Sequence, residues 1–299
     1  MMRIGIDLGG TKIAACLLDA SGHEVERPRV LTPQGDYAAT LAAVAQLVEQ
    51  LDAVAKCECP VGIGYPGSVS PRTGLHRNAN STCLNGRDLM GDLSRLLRRT
   101  VRGANDANCL ALSEAHDGAA AGAQIVFAAI LGTGIGGGVV VDGRILVGRN
   151  AIAGEWGHTH MPGIDAAQRR SRPCYCGLFG CTEQFLAGPA LEREYAALGG
   201  DAASMSMIAE RAAAGEERAQ AVIDLLCTRL ADALVSVVHL IDPDVIVLGG
   251  GLSNIREIYE RVPALIGNQL FSDAFTTPIR GAAHGDASGV RGAARLTLA

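Results

Sequence analysis

Apolar positions along this chain recur with a period of two, then of three to four, then of two again, and the switches mark out its elements. "RIGIDL" (3–8) reads as a buried strand running into Gly9-Gly10-Thr11, and "KIAACLLDASGHEVERPRVL" (12–31) as a hairpin turning at Ala20-Ser21-Gly22. Leu41, Val44, Leu47, Val48 and Leu51 fall at helical spacing and predict a helix over 36–55. "PVGIGYPG" (60–67) predicts a strand ending in a turn. A helix over "DLMGDLSRLLRRT", a short strand "VRGAND" and a helix "ANCLALSEAHDGAA" follow. The opening pattern then returns. "IVFAAILGTGIGGGVVVDGRILVG" (125–148) is again strand, glycine turn, strand, Asp-Gly turn, strand. The repeat predicts two similar domains, each led by a β-meander, facing each other across a cleft. In the second half, Val222, Leu225, Leu226, Leu230, Ala233, Leu234, Val237, Val238 and Ile241 make one stripe of a long helix. "DVIVLGGG" (244–251) is a strand, and "NIREIYERVPALIGNQL" and "GVRGAARLTL" are helices. The expected division is a smaller α/β domain of residues 1–119 with 287–299, and a larger α/β domain of residues 120–286.

A chain of 299 residues has room for about two domains. A net charge of −5, with short basic runs only at "RLLRRT" and "AAQRRSR", argues against a nucleic-acid partner. No run of about 18 apolar residues is evident, so no membrane span is expected. "MMRIGIDLGG" has no signal-peptide pattern. Nine cysteines without an export signal argue for a reducing cytoplasm, where thiols stay free or bind metal.

Three of those cysteines, Cys174, Cys176 and Cys181, lie within eight residues of "CYCGLFGC". Gly177 and Gly180 let the backbone turn between them. Three thiolates leave one corner of a zinc tetrahedron to a ligand from elsewhere. Cys57 and Cys59 form a second C-x-C with no further ligand nearby, which reads as packing.

Three predicted strands end in glycine, at Gly9-Gly10-Thr11, Gly132-Thr133-Gly134 and Gly249-Gly250-Gly251. Turns without a Cβ let backbone N–H groups approach phosphate oxygens. Gly132, Gly134 and Gly137 also satisfy G-x-G-x-x-G. That fingerprint needs a following helix, however, and "GVVVDGRILV" is strand-like. Asp7, at the end of the first strand, can hold Mg²⁺ directly or through water, and Lys12 can meet a phosphate.

Together, "IDLGGTK", "NDAN", "LGTGIGGG", "GEWGH" and "CYCGLFGCTE" resemble the ROK family of repressors and sugar kinases, over residues 4 to about 294. Within it, "NANSTCLNG" (78–86), "ANDANCLALSEAHDGAAAGAQ" and "HGDASGVRGAA" look most like the bacterial manno(fructo)kinase branch. The resemblance implies a two-domain actin-like ATPase (ribonuclease H-like) α/β fold with a ligand cleft between the domains, and a homodimer. It implies ATP with Mg²⁺, its phosphates near Gly9, Gly10, Thr11, Lys12, Gly132, Thr133 and Gly134, and its adenosine near Gly249, Gly250 and Gly251. Asp106 is the implied general base, accepting the proton of a sugar 6-hydroxyl as it attacks the γ-phosphate. Asn105, Glu155, His158 and Glu183 are the implied sugar ligands, each glutamate accepting two hydroxyl hydrogen bonds. His158 becomes the expected fourth ligand of a structural zinc, with His160 as competitor. One imidazole nitrogen would bind metal and the other face the sugar.

The expected acceptor is fructose or mannose, with Asn80 at the pocket edge. The alternatives are glucokinase or N-acetylglucosamine kinase activity. An NAD-dependent dehydrogenase is disfavoured by the strand after Gly138. A sugar-responsive repressor is disfavoured because the first strand begins at Arg3, leaving no room for a DNA-binding module ahead of it.

Overall fold

The computed structural model describes residues 1–298. The opening meander is β1 (Arg3–Leu8), β2 (Lys12–Leu18), β3 (Glu24–Glu26) and β4 (Arg29–Leu31). The hairpin between β2 and β3 is organised by Asp19. Its Oδ1 accepts the Ser21 and His23 backbone N–H groups at 2.8 and 3.0 Å, an Asx turn that sets the register. Helix α1 (Tyr37–Ala55) starts where Asp36 accepts the Ala39 N–H and ends at Lys56 in the left-handed region. β5 (Val61–Tyr65) lies parallel to β1, with Gly5 opposite Gly62. A short ladder of β6 (Ser68–Val69) and β7 (His76–Arg77) leaves the sheet before α2 (Leu89–Leu97). β8 (Val101–Asn105) pairs parallel to β5, and α3 (Asp106–Asp117) follows without a break. The sheet order is β3-β2-β1-β5-β8, with β4 on β2.

The second meander is β9 (Ile125–Leu131), β10 (Ile135–Val141) and β11 (Arg144–Ile145). Asp142 and Gly143 both have positive φ, as the Asp-Gly turn between β10 and β11 requires. Short helices α4 (Ala166–Arg170), α5 (Glu183–Leu186), α6 (Gly188–Ala197) and α7 (Met205–Ala213) lead to the long α8 (Glu217–Ile241). Pro189 stands in the first turn of α6, where its missing N–H costs nothing. β12 (Val245–Gly249), wholly buried, lies parallel between β9 and β13 (Ile279–Gly281), with α9 (Arg256–Gly267) on the crossover. The sheet order is β11-β10-β9-β12-β13. The short ladder β6-β7, strand β13 and helices α4, α5 and α7 carry too few periodic residues to be read from pattern.

Last comes α10 (Ser288–Arg295). It lies against β1, β5 and α3 with its backbone close to theirs. A Cβ at Gly5 would fall on the Val290 carbonyl, one at Gly62 on the Ala293 carbonyl, and one at Gly292 on the Cys109 carbonyl. Ser288 and Glu114, both fully buried, bond at 2.8 Å and lock α10 to α3. Two compact units result. The first comprises Met1–Ala121, Gly138–Ala153 and the chain from Asp286, and the second Gly122–Gly137 and Gly154–Gly285. Gly138–Ala153 therefore groups with the first unit, although it continues the second meander in sequence.

Against the sequence-based expectation, α1 is long and apolar enough, by length and composition, to cross a bilayer. Its mean hydropathy comes mainly from leucine and valine, with alanine adding to it. One face, Val44, Leu47, Val48 and Leu51, is buried against Ile4, Ile6, Leu8 and Ile63 of the first unit's core.

Candidate active site and metal centre

The first glycine turn is closed by Gly9 N–H donating to Lys12 O at 3.1 Å. Thr32 clamps it from the neighbouring segment. Its N–H donates to Thr11 O at 3.0 Å and its hydroxyl to Gly9 O at 2.7 Å. Nothing in the local sequence marks Thr32 for this role, because the contact spans 23 positions. Asp7 stands beside the turn. Burial pushes its carboxyl up from the ordinary range, Lys12 pulls it down, and Asp286 pushes it up again. Lys12 Nζ lies 4.0 Å from Asp286. A desolvated carboxylate with a lysine beside it fits a hard cation held by oxygen and an anion next to it. Asn80 is exposed on the excursion between β7 and α2, its Oδ1 accepting Ser81 N–H at 2.8 Å. A Cβ at Gly10 would lie 3.5 Å from Ser81 Oγ, so this excursion borders the turn.

β8 delivers Asn105 and Asp106 to the start of α3. Asn105 is the helix cap. Its Oδ1 accepts Ala107 N–H at 2.9 Å and its Nδ2 donates to Gly67 O at 3.1 Å. Asp106, half-buried, is the first residue inside the helix, and its Oδ1 lies 2.8 Å from the Ala107 nitrogen. The helix start sets the positive end of the peptide dipoles beside it. Both ends of the Asn105 amide are thus engaged in holding Asp106 and the turn at Gly67, which gives Asn105 a positioning part beyond the sugar contact expected of it.

In the second unit, Gly132 N–H donates to Gly134 O at 3.0 Å and Gly132 O accepts Gly188 N–H at 2.8 Å, so the turn is pinned by the start of α6. Gly250 has φ +83° and backs onto the Leu131 carbonyl, where no Cβ fits. A Cβ at Gly132 or Gly251 would meet nothing within 4 Å, so both turns present bare backbone on one side.

His158, Cys174, Cys176 and Cys181 bring one ligand atom each to within 4.8 Å of one another. His160, the expected competitor, is not among them. Cys174 Sγ to His158 Nδ1 and Cys176 Sγ to Cys181 Sγ are both 3.6 Å. A tetrahedral zinc with Zn–S near 2.3 Å needs edges of about 3.8 Å between sulfurs and slightly less to nitrogen. The Cys₃His donor set and its spacing therefore fit zinc. Burial pushes the Cys174 and Cys181 thiols up, as expected for sulfurs crowded together without a cation.

Glu155 precedes the 3₁₀ turn Trp156–His158 and its carbonyl accepts the His158 N–H at 3.1 Å. Glu183, the first residue of α5, is buried, and its Oε2 accepts Ile135 N–H at 2.9 Å. That bond takes one of the carboxylate's acceptor positions. His158 Nε2, expected to face a sugar, lies 3.0 Å from the Tyr175 hydroxyl. Tyr175 carries no signal in the sequence beyond standing between two cysteines.

A model of the ROK family matches residues 3–299. An N-acetyl-D-glucosamine kinase of Pectobacterium atrosepticum is 42% identical over 304 residues, with 99% of each chain covered. One from Photobacterium profundum is 41% identical over 302 residues, again with 99% of each covered. Among solved structures, a ROK hexokinase from Thermus thermophilus superposes with a TM-score of 0.86 at 32% identity, covering 99% of this chain and 97% of its own. A ROK family glucokinase from Streptomyces griseus, in complex with glucose and AMPPNP, gives 0.80 at 27%, with 99% of each covered. The fold is that of the actin-like ATPases, and the chain belongs to the ROK family.

Proposed function

We propose that this chain is an ATP-dependent hexose kinase that transfers the γ-phosphoryl group to a sugar 6-hydroxyl. The observation that carries the reading is Asp106, held at the first turn of α3 by the Asn105 cap. A hydroxyl is a weak nucleophile, and a carboxylate fixed at a helix start can accept its proton as it attacks. Asp7, Lys12 and the Gly9–Thr11 and Gly132–Gly134 turns are the proposed nucleotide side, and Gly249–Gly251 the proposed adenosine side. Asp7 would hold Mg²⁺, directly or through water, and the ion would offset charge developing on the phosphate. Glu155 and Glu183 are the proposed acceptors for sugar hydroxyls, on a loop closed by the Cys₃His set.

Two acceptor sugars have separate support. The relatives that carry the name N-acetyl-D-glucosamine kinase, at 41–42% identity over nearly the whole chain, favour N-acetylglucosamine. The excursion at 78–86 favours fructose or mannose. It presents Asn78, Asn80, Ser81 and Thr82, small polar side chains where an N-acetyl methyl would want an apolar recess. Such edges shift selectivity by only about 1–3 kcal/mol per group, so slower turnover of the other sugars is expected. The test is kcat/KM for N-acetylglucosamine, fructose, mannose and glucose at fixed ATP and Mg²⁺, followed by ADP release. The highest value identifies the acceptor, and no ADP release with any hexose overturns the kinase reading.

A further inference from the structure

Glu183 opens α5, a helix of little more than one turn. So short a helix does not hold itself in water, and its position comes from what grips it. At its start, Glu183 Oε2 accepts the Ile135 N–H. At its end, three charged side chains from distant parts of the chain converge. Arg172 lies just ahead of Cys174, Glu194 stands on α6 and Arg229 on α8. Arg229 Nη1 donates to the Phe185 carbonyl at 3.1 Å, and Arg172 Nη1 to the Gln184 carbonyl at 3.4 Å. Both guanidinium groups also lie over the buried Phe185 ring, 5.1 and 5.2 Å from its centre. Glu194 Oε1 ties the two together, accepting from Arg172 Nη2 at 2.8 Å and from Arg229 Nη2 at 3.0 Å.

Each contact suits its partner. The last carbonyls of a helix carry negative partial charge and attract cations. The face of an aromatic ring does the same. Two cations drawn to one turn repel each other, and a carboxylate oxygen shared between them offsets that repulsion. None of the three side chains is more than 23% exposed, so water screens these charges only in part. The planar fork of each arginine lets it hold a carbonyl and the carboxylate at once. The firm member of the set is α8, 25 residues long with a buried stripe, so the clamp refers α5 to the scaffold.

We infer that Arg172, Glu194 and Arg229 are positioning residues for the sugar: they fix the turn that aims Glu183, and through it the affinity for hexose. The inference rests on the hexose kinase reading, in which Glu183 accepts a sugar hydroxyl, and deepens it. The three act through α5 and are not themselves ligands of the sugar or of the metal.

Glu194→Gln is the direct test, because it keeps the size and one acceptor oxygen and removes the charge between the arginines. The hexose Kd, by calorimetry without nucleotide, is expected to rise about tenfold at unchanged stoichiometry. Zinc per chain and the Kd for ATP with Mg²⁺ are expected to stay at their wild-type values. At saturating hexose, kcat is expected to stay within about threefold, since the loss falls on binding shared by ground and transition states. Asp224→Asn is the control. Asp224 bonds to Gln220 and to Arg261 of α9, and its loss should lower stability in urea while leaving the hexose Kd alone. Arg229→Lys keeps the charge but loses the fork, and it is expected to raise the hexose Kd as well, which decides the matter if Glu194→Gln does not fold. A wild-type hexose Kd in the folded variant would overturn the inference. So would equal rises in the hexose and nucleotide Kd, or an equal rise in Asp224→Asn. Wild-type protein that binds hexose without releasing ADP would overturn the kinase reading alone, and one that binds no hexose would overturn both.

Discussion

Glu183 Oε2 accepts the backbone N–H of Ile135 at 2.9 Å, joining the end of the metal loop to the strand that leaves the second glycine turn. The bond is buried and charge-assisted. Removing the carboxylate leaves a buried N–H without a partner. Glu183→Ala should therefore lower stability by about 1–3 kcal/mol in urea unfolding, as well as weakening sugar binding. Glu183→Gln keeps an acceptor oxygen and should recover most of the stability. Equal losses for the two variants would show that the charge, not the hydrogen bond, matters.

Asp106→Asn should fold normally, because the cap of α3 belongs to Asn105 and is untouched. Turnover should fall by about 10²-fold or more, the lower end for a lost general base. A coupled ADP-release assay giving more than half the wild-type rate would remove Asp106 from that role.

Asp7 pays for its position in stability. Its folded pKa is raised, chiefly by burial, above the unfolded value. A carboxyl shifted this way adds stability only while protonated, below its unfolded pKa, and that contribution is lost as pH rises through the folded pKa. Asp7→Asn, which cannot ionise, should thus melt a few degrees higher than wild type near neutral pH without nucleotide. The two melting curves should converge in acid. Activity should fall in the same variant. A wild type that melts higher than Asp7→Asn at neutral pH would contradict the desolvation argument.

The Cys₃His cluster predicts one zinc per chain in freshly purified protein. Cys176→Ser should lose metal and sugar affinity together, since the same loop carries Glu155 and Glu183. Full activity of Cys176→Ser, or metal-free protein as purified, would count against it.

Much of this was legible in the chain because it is local. The strand, glycine turn, strand pattern and its repeat follow from period-two burial and residues that must adopt positive φ. The cluster of Cys174, Cys176 and Cys181 declares itself by spacing, and His158 joins it by resemblance. What escaped depends on contacts distant in sequence. Thr32 clamping the first turn, Ile135 consuming a Glu183 oxygen and Gly188 pinning Gly132 join segments that no periodicity relates. The bond between His158 Nε2 and the Tyr175 hydroxyl was hidden because it depends on ring orientation.

The fit of α10 over Gly5, Gly62 and α3 also sets an order of events during translation. β1 and β5 leave the ribosome early, but the helix that covers them is made only after every residue of the second unit. Domains ordinarily fold in the order of their synthesis. Here the unit that is started first must be finished last, with its sheet open on one side until α10 emerges.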